Sequence, residues 1–189
     1  MAAIDLFHER GIHATSPDDV LAASKTGKSQ FYHYFKNKEG LVHDCLQLFL
    51  ETIRNGKDHI NHNPQSWQEL ESWFHTHLAL QKSFGMKRGC PLGTIGNGLT
   101  EWDELARQDL SLIFEVIRTN ISRFFHSEKL QKRLQPGCDP DALADFCIAT
   151  IQGAMLMGKI KRDERVVERV IETALRHLRS FIVHTPSAA

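Results

Sequence analysis

The chain has 189 residues, 41% hydrophobic and 24% charged, the proportions of an ordinary globular protein with one large domain or two small ones. Its 23 basic and 23 acidic residues cancel to a formal net charge of zero. This excludes a uniformly basic nucleic-acid coat, so any attraction for a polyanion must come from local clustering. Cys45, Cys90, Cys138 and Cys147 form no CxxC pair, which argues against a structural zinc site. No secretory leader is expected before the first helical segment, and no apolar run is read as approaching the roughly 20 residues of a bilayer span. A cytoplasmic location with reduced thiols is expected, with no membrane partner and no cofactor.

Helical periodicity is widespread and strand signals are nearly absent. Ala2, Ala3, Leu6 and Phe7 share one side of a first short helix ended by Gly11. Thr15 and Ser16 can cap a second helix, with Pro17 at its first position and Asp18 and Asp19 near its positive end. After a break at 25–27, a third short helix is predicted over Lys28 to Phe35. Asn37 is the expected cap of a long helix from Lys38 to about Ile60, burying Leu41, Cys45, Leu48 and Ile53. Beyond the Pro64 linker, Ser66 caps a helix carrying Trp67, Leu70, Trp73, Phe74, Leu78 and Leu80. Residues 85–98 read as irregular with one short helix after Pro91. A long helix from about Glu101 to Phe125 follows, then a Pro/Gly break at 135–140. Two final helices are predicted over Asp141–Ile160 and Asp163–Phe181, and the tail after His184 is expected to fray. The fold class is therefore all-α: a three-helix, helix-turn-helix head over 1–44, joined by a long helix to a helical body over 45–189.

The segment KSQFYHYFKNKEGL, Lys28 to Leu41, is the most informative stretch. Phe31, Tyr32, Tyr34 and Phe35 cluster beside Lys25, Lys28, Lys36 and Lys38, and no acid lies between Lys25 and Lys38. With Phe31 and Phe35 in a small core, the third helix presents Lys28, Ser29, Gln30, His33 and Tyr34 outward. Ser29 and Gln30 can hydrogen-bond base edges, and Lys28 can reach guanine or phosphate. Tyr32 and Lys38 suit phosphate, and Thr15 and Ser16 offer donors to another phosphate at the start of the second helix.

On these residues the chain resembles the TetR/AcrR family of bacterial repressors. The matching pieces are AIDLFHERG, TSPDDVLAAS and KSQFYHYFKNKEGL in the head, and GCPLG and IQGAMLMG in the body. The resemblance implies a homodimer that binds a palindromic, double-stranded DNA operator and is released when a small-molecule effector enters the body. Family members usually carry glycine where this chain has Lys25; Gly27 follows two residues later, so either the turn is shaped differently or a lysine takes positive φ there at a cost of about 1 kcal/mol. They also usually carry a basic arm and a longer first helix before this point. Either DNA is bound without that arm, or the true start of the chain lies upstream.

In the body, small and bulky side chains alternate as close helix packing requires. Ala149, Gly153, Leu156 and Met157, with Val170, Ala174 and Leu178 on the last helix, are the expected dimer face; the alternative is that this stripe is intrachain core. Trp73, Phe74, His77, Trp102, Phe114, Ile117 and Met155 are candidate walls of an effector pocket. Cys90 joins them as a candidate electrophile or redox sensor, because Lys87, Arg88 and a helix start would lower a thiol's pKa. An inert, packed Cys90 is the alternative. Catalysis finds no support: HExxH, GxSxG, a Walker loop and a strand-borne GxGxxG are all missing, so no catalytic and no metal residues are assigned. A helix-turn-helix that binds protein instead of DNA is the remaining rival, and salt-sensitive binding to duplex DNA separates the two.

Overall fold

The computed structural model describes residues 2–183, and the tail expected to fray lies outside them. Among the described residues the chain is all-helical. In order come α1 (Ala2–Arg10), α2 (Pro17–Ser24), α3 (Lys28–Phe35), α4 (Lys38–Arg54), α5 (Trp67–Ser83), α6 (Pro91–Asn97), α7 (Glu104–Leu130), α8 (Pro140–Lys161) and α9 (Glu164–Arg179). An antiparallel bridge pairs Leu134 with Ile182.

Local chemistry sets most of these boundaries. Ser16 and Asp19 form a reciprocal capping box at α2, and the side chains of Asn37, Ser66, Asp139 and Asp163 cap α4, α5, α8 and α9. Helix α4 stops at Arg54, short of the expected Ile60. Gly56 takes φ +62°, with Lys57 N–H bonding Thr52 O and Gly56 N–H bonding Ile53 O, a Schellman closure. Helix α7 begins at Glu104 because its first i→i−4 bond runs from Arg107 N–H to Asp103 O, and it continues past Phe125 to Leu130.

Contacts divide the chain into two compact units. One comprises Met1–Lys57 and Arg88–Glu115, the other Asp58–Lys87 and Val116–Ala189. In the first, Phe7, Val20, Phe31, Leu41 and Leu46 form the buried core beneath α1–α4. Full burial of each large apolar side chain contributes about 1.5–3 kcal/mol. Leu48, expected in this core, is 46% exposed. The inward face of α4 is centred on Val42, Leu46 and Ile53, with Leu41 and Cys45 toward one edge, and Leu48 lies beyond that edge. Helix α6 packs on α1, and His8 Nε2 donates to Gly89 O at 2.7 Å.

In the second unit α5 packs against α8 and α9, which pack on each other. Trp73, Phe74, Phe125, Cys147, Ile151, Val167 and Ile171 are buried there. Gly158 marks the tight crossing of α8: a Cβ built on it would lie 2.5 Å from Val167 Cγ2. Helix α8 is also long and apolar enough to cross a bilayer, with mean hydropathy 1.3, contrary to the expectation that no stretch would be. Its inward row packs on α5 and α9, and its Asp145 pairs with Arg118, so in this fold one side of α8 belongs to the core and the other is exposed.

Candidate nucleic-acid interface

The head holds a helix-turn-helix whose turn is built at some conformational expense. Of the two alternatives for this turn the chain takes the second: Lys25 ends α2 in the left-handed region (φ 55°, ψ 33°). Lys36 ends α3 at φ 57°, and Asn37 N–H reaches back to Phe35 O at 2.5 Å, closing a three-residue γ-turn of the strained, positive-φ kind. The following turn leaves no room for a side chain at Gly40, where a Cβ would lie 2.4 Å from Phe35 O. The Gly in NKEGL is thus what lets α4 start directly against the end of α3. The motif alone does not reveal this role, because the obstructing carbonyl belongs to the preceding helix.

Packing then orients α3. Phe31 is buried, and its ring meets Phe35 at 5.4 Å and Tyr32 at 5.3 Å. Lys28, Ser29, Gln30, Tyr32, His33 and Tyr34 are all exposed. Ser29 and His33, one turn apart, lie opposite the Phe31 side and point most directly outward. Gln30 and Tyr34 stand at the edge of an apolar cleft of about 410 Å³ that also involves Ala2, Ala3, Val20 and Leu41. Gly27 gives α3 no side-chain cap, so its first-turn N–H groups remain for an acceptor beside Lys25 and Lys28.

The second-helix donors are placed otherwise. Thr15 is 1% exposed, and its hydroxyl donates to Gly11 O at 2.9 Å, so it serves the chain and does not face outward. Ser16 is exposed, but its hydroxyl is engaged with Asp19, whose carboxyl the Ser16 hydrogen bonds hold below the usual range. That fixed negative charge opposes a phosphate there. Lys38, at the first turn of α4, is half-buried in a cleft of about 280 Å³ with His13, Glu39, Trp102 and Asp103. Its long stem packs while its amine can reach outward.

The expected effector walls separate. Trp73, Phe74, His77, Ile117 and Met155 are buried within the second unit. Cys90, Trp102 and Phe114 belong to the first. Trp102 stands in the turn before α7, is 84% exposed, and borders the Lys38 cleft rather than the buried group around Trp73. Cys90 is buried at the N-cap of α6. Around His77 lies a polar cluster that sequence reading did not assemble. Trp73 Nε1–H donates to His62 Nδ1 at 3.1 Å, His62 Nε2 lies 3.2 Å from Asp58 Oδ2, and His77 Nδ1 bonds Trp73 O at 2.7 Å. Burial, the dominant influence, pushes His77 down to about 4.

The expected dimer stripe divides as well. Ala149, Gly153, Leu156 and Met157 are exposed on α8, with Ile160 continuing the row. On α9 Val170 is half-exposed, but Ala174 and Leu178 are 2% and 0% exposed, in register with Val167 and Ile171 on the core-facing row. For those two the intrachain alternative holds.

An exposed, lysine-flanked helix mounted on a small aromatic core and joined to α2 by a tight turn has the form of a helix-turn-helix. The model of bacterial regulatory proteins of the tetR family matches residues 1–45, and the tetracyclin repressor-like C-terminal domain matches residues 67–174. The chain belongs to the TetR family and is a DNA-binding transcriptional regulator, not an enzyme. It is 26% identical over 177 residues to the HTH-type transcriptional repressor DhaR of Mycobacterium sp. strain GP1, covering 92% of this chain and 86% of that protein. The fold is similar to a TetR regulatory protein of Rhodobacter sphaeroides, with TM-score 0.80 and 22% identity over 96% of this chain and 95% of that one. It is also similar to a double cysteine mutant of the TetR-family regulator CifR, in a structure with 26-base-pair operator DNA. There the TM-score is 0.73 and identity 23%, over 93% and 92% of the two chains.

Proposed function

We propose that the protein is a cytoplasmic, homodimeric repressor that binds a palindromic operator and is released by a small-molecule effector. The observation that carries this reading is the exposed face of α3, with Lys28, Ser29, Gln30, Tyr32 and His33 outward over the buried Phe31. Ser29 and Gln30 read base edges, while Lys28, Tyr32 and Lys38 hold the backbone. Two heads then meet half-sites about 34–36 Å apart.

Residues 1–44 are the DNA-binding part and 45–189 the effector and dimerisation part. The dimer face is the exposed α8 row Ala149, Gly153, Leu156 and Met157, with Val170 of α9 at its margin. An apolar row of this length on the exposed side of α8 is what a second copy would cover, and the two-fold operator requires one. The buried aromatic group Trp73, Phe74 and His77, with Ile117 and Met155, supports the effector site in the body. DhaR is a repressor and CifR was captured on an operator, and both support the same role for this relative.

The test is a pull-down of sheared genomic DNA with the purified protein, sequenced for a shared motif. A recovered palindrome is the expected result, and no enrichment overturns the reading. Gln30→Ala should relax base preference more than it lowers non-specific affinity. Lys38→Ala should weaken all sequences alike and reduce the salt slope by roughly one.

A further inference from the structure

Residues 58–66 form a strap that leads into α5. Ile60, His62 and Pro64 turn inward from it, and the residues between them are exposed. Glu69 of α5 ties down the outer side, accepting from the Gln65 N–H at 2.9 Å and the Asn61 amide at 3.3 Å. His62 is the polar anchor on the inner side. An indole N–H can only donate, so the 3.1 Å bond from Trp73 Nε1 requires an unprotonated Nδ1 on His62. The proton of the ring is then on Nε2, facing Asp58 Oδ2 at 3.2 Å. Asp58, His62 and Trp73 all belong to the second unit.

The two partners of His62 make opposite demands. Desolvation works against the Asp58 carboxylate, but bonds from His62, Ile60 and His59 hold its pKa below the usual range, so it stays an anion in mild acid. An anion beside an imidazole favours the imidazolium. The indole opposes it, because a proton on Nδ1 would set one N–H donor against another. A proton taken from solvent at Nδ1 therefore turns the Asp58 contact into an ion pair and breaks the Trp73 bond. Asp58 lies on the strap and Trp73 on α5. The exchange undoes a tie between strap and helix and leaves one within the strap.

The neighbouring groups do not take this proton. His77 of α5 has its ring 5.9 Å from that of His62, and burial pushes it down to about 4. The rows that α8 and α9 turn inward offer the thiol of Cys147, which burial pushes up. Glu128 of α7 is engaged by Trp67 and Arg133.

We propose that Asp58, His62 and Trp73 form a proton-operated latch: neutral His62 fastens the 58–66 strap to α5, and protonation hands His62 to Asp58 and loosens the strap. The latch is complete within the second unit.

The test follows the indole N–H signals of the full-length, 15N-labelled protein from about pH 8 to about pH 5, where imidazoles ordinarily gain a proton. Trp73→Phe assigns the Trp73 signal. Trp67 is the internal control: its indole bonds Glu128 at 2.8 Å, and the Arg133 bond holds that carboxyl below the usual range. On acidification the Trp73 signal should shift, and its protection from exchange, corrected for the intrinsic rate, should fall at least about tenfold. The backbone amides of 58–66 should lose protection with it, while Trp67 stays protected. In His62→Phe the Trp73 signal should not respond to pH, and in His77→Phe the release should persist. Trp73 protection that survives to the acid limit, simultaneous loss at Trp67, or an equal release in His62→Phe overturns the proposal. If His62→Phe does not fold, Asp58→Asn carries the test. Without the carboxylate the release should move to lower pH, and an unmoved release overturns the latch.

Discussion

Gly158→Ala should destabilise the body, whereas Gly153→Ala in the same helix should not. At Gly158 the new Cβ would lie 2.5 Å from Val167 Cγ2, 3.0 Å from Met86 Cε and 3.1 Å from Gln81 Oε1. Carbon atoms pack best at about 3.5–4.0 Å, so the Val167 contact is short by about 1 Å. The Met86 tail can swing aside, but Val167 is β-branched and fully buried, with little rotamer freedom. Either α8 and α9 separate or Val167 leaves its well, and overpacking of this sort costs about 1–3 kcal/mol. Replacing glycine by alanine in a helix returns about 1 kcal/mol at both sites. Gly153 has nothing within 4 Å of its would-be Cβ, so it receives only the gain. The two variants should therefore differ by about 2 kcal/mol, or about 4–8 °C in Tm for a chain of this size. Urea and thermal unfolding should be followed at several protomer concentrations, because a loss at the proposed α8 dimer face depends on concentration and the intrachain clash does not. Equal stability of the two variants would refute the close α8–α9 crossing.

Three further outcomes are expected. Lys25→Gly relieves a left-handed lysine and should raise stability by about 1 kcal/mol in urea titrations; a decrease would contradict the αL turn. Gly40→Ala drives a Cβ to 2.4 Å from Phe35 O, so DNA affinity should drop at least about tenfold while most helical circular dichroism remains, and unchanged affinity would remove Gly40 from the head's design. His77 lies at about 4 in the fold against 6.5 when free, so the unfolded chain binds the extra proton between those values. Stability is then fully present above pH 6.5 and lost as pH falls toward 4, by at most about 3 kcal/mol. His77→Phe should flatten that limb of the pH–stability curve, and an unaltered slope would place its origin elsewhere.

Much of this protein is legible in residue order because its signals are local. Capping side chains at Ser16, Asn37 and Ser66, Pro17 inside a helix start, and apolar residues at helical spacing act within one or two turns, so elements and fold class follow from them. Gly56 ends α4 by its positive φ, although apolar periodicity continues past it to Ile60. The outward face of α3 was readable for the same reason, since two aromatics one turn apart fix which side is buried. What only the tertiary structure decided is which of two equivalent faces finds a neighbour. Thr15 turned inward to Gly11, Leu178 joined the core while Met157 stayed in water, and Trp102 came to the Lys38 cleft instead of the body's buried aromatic group. The grip of His43 and Gln47 on Asp109 spans more than 60 positions in the chain. An acid in an apolar row was its single sequence trace, because hydrogen bonds across such separations depend on helix seating that no local pattern encodes.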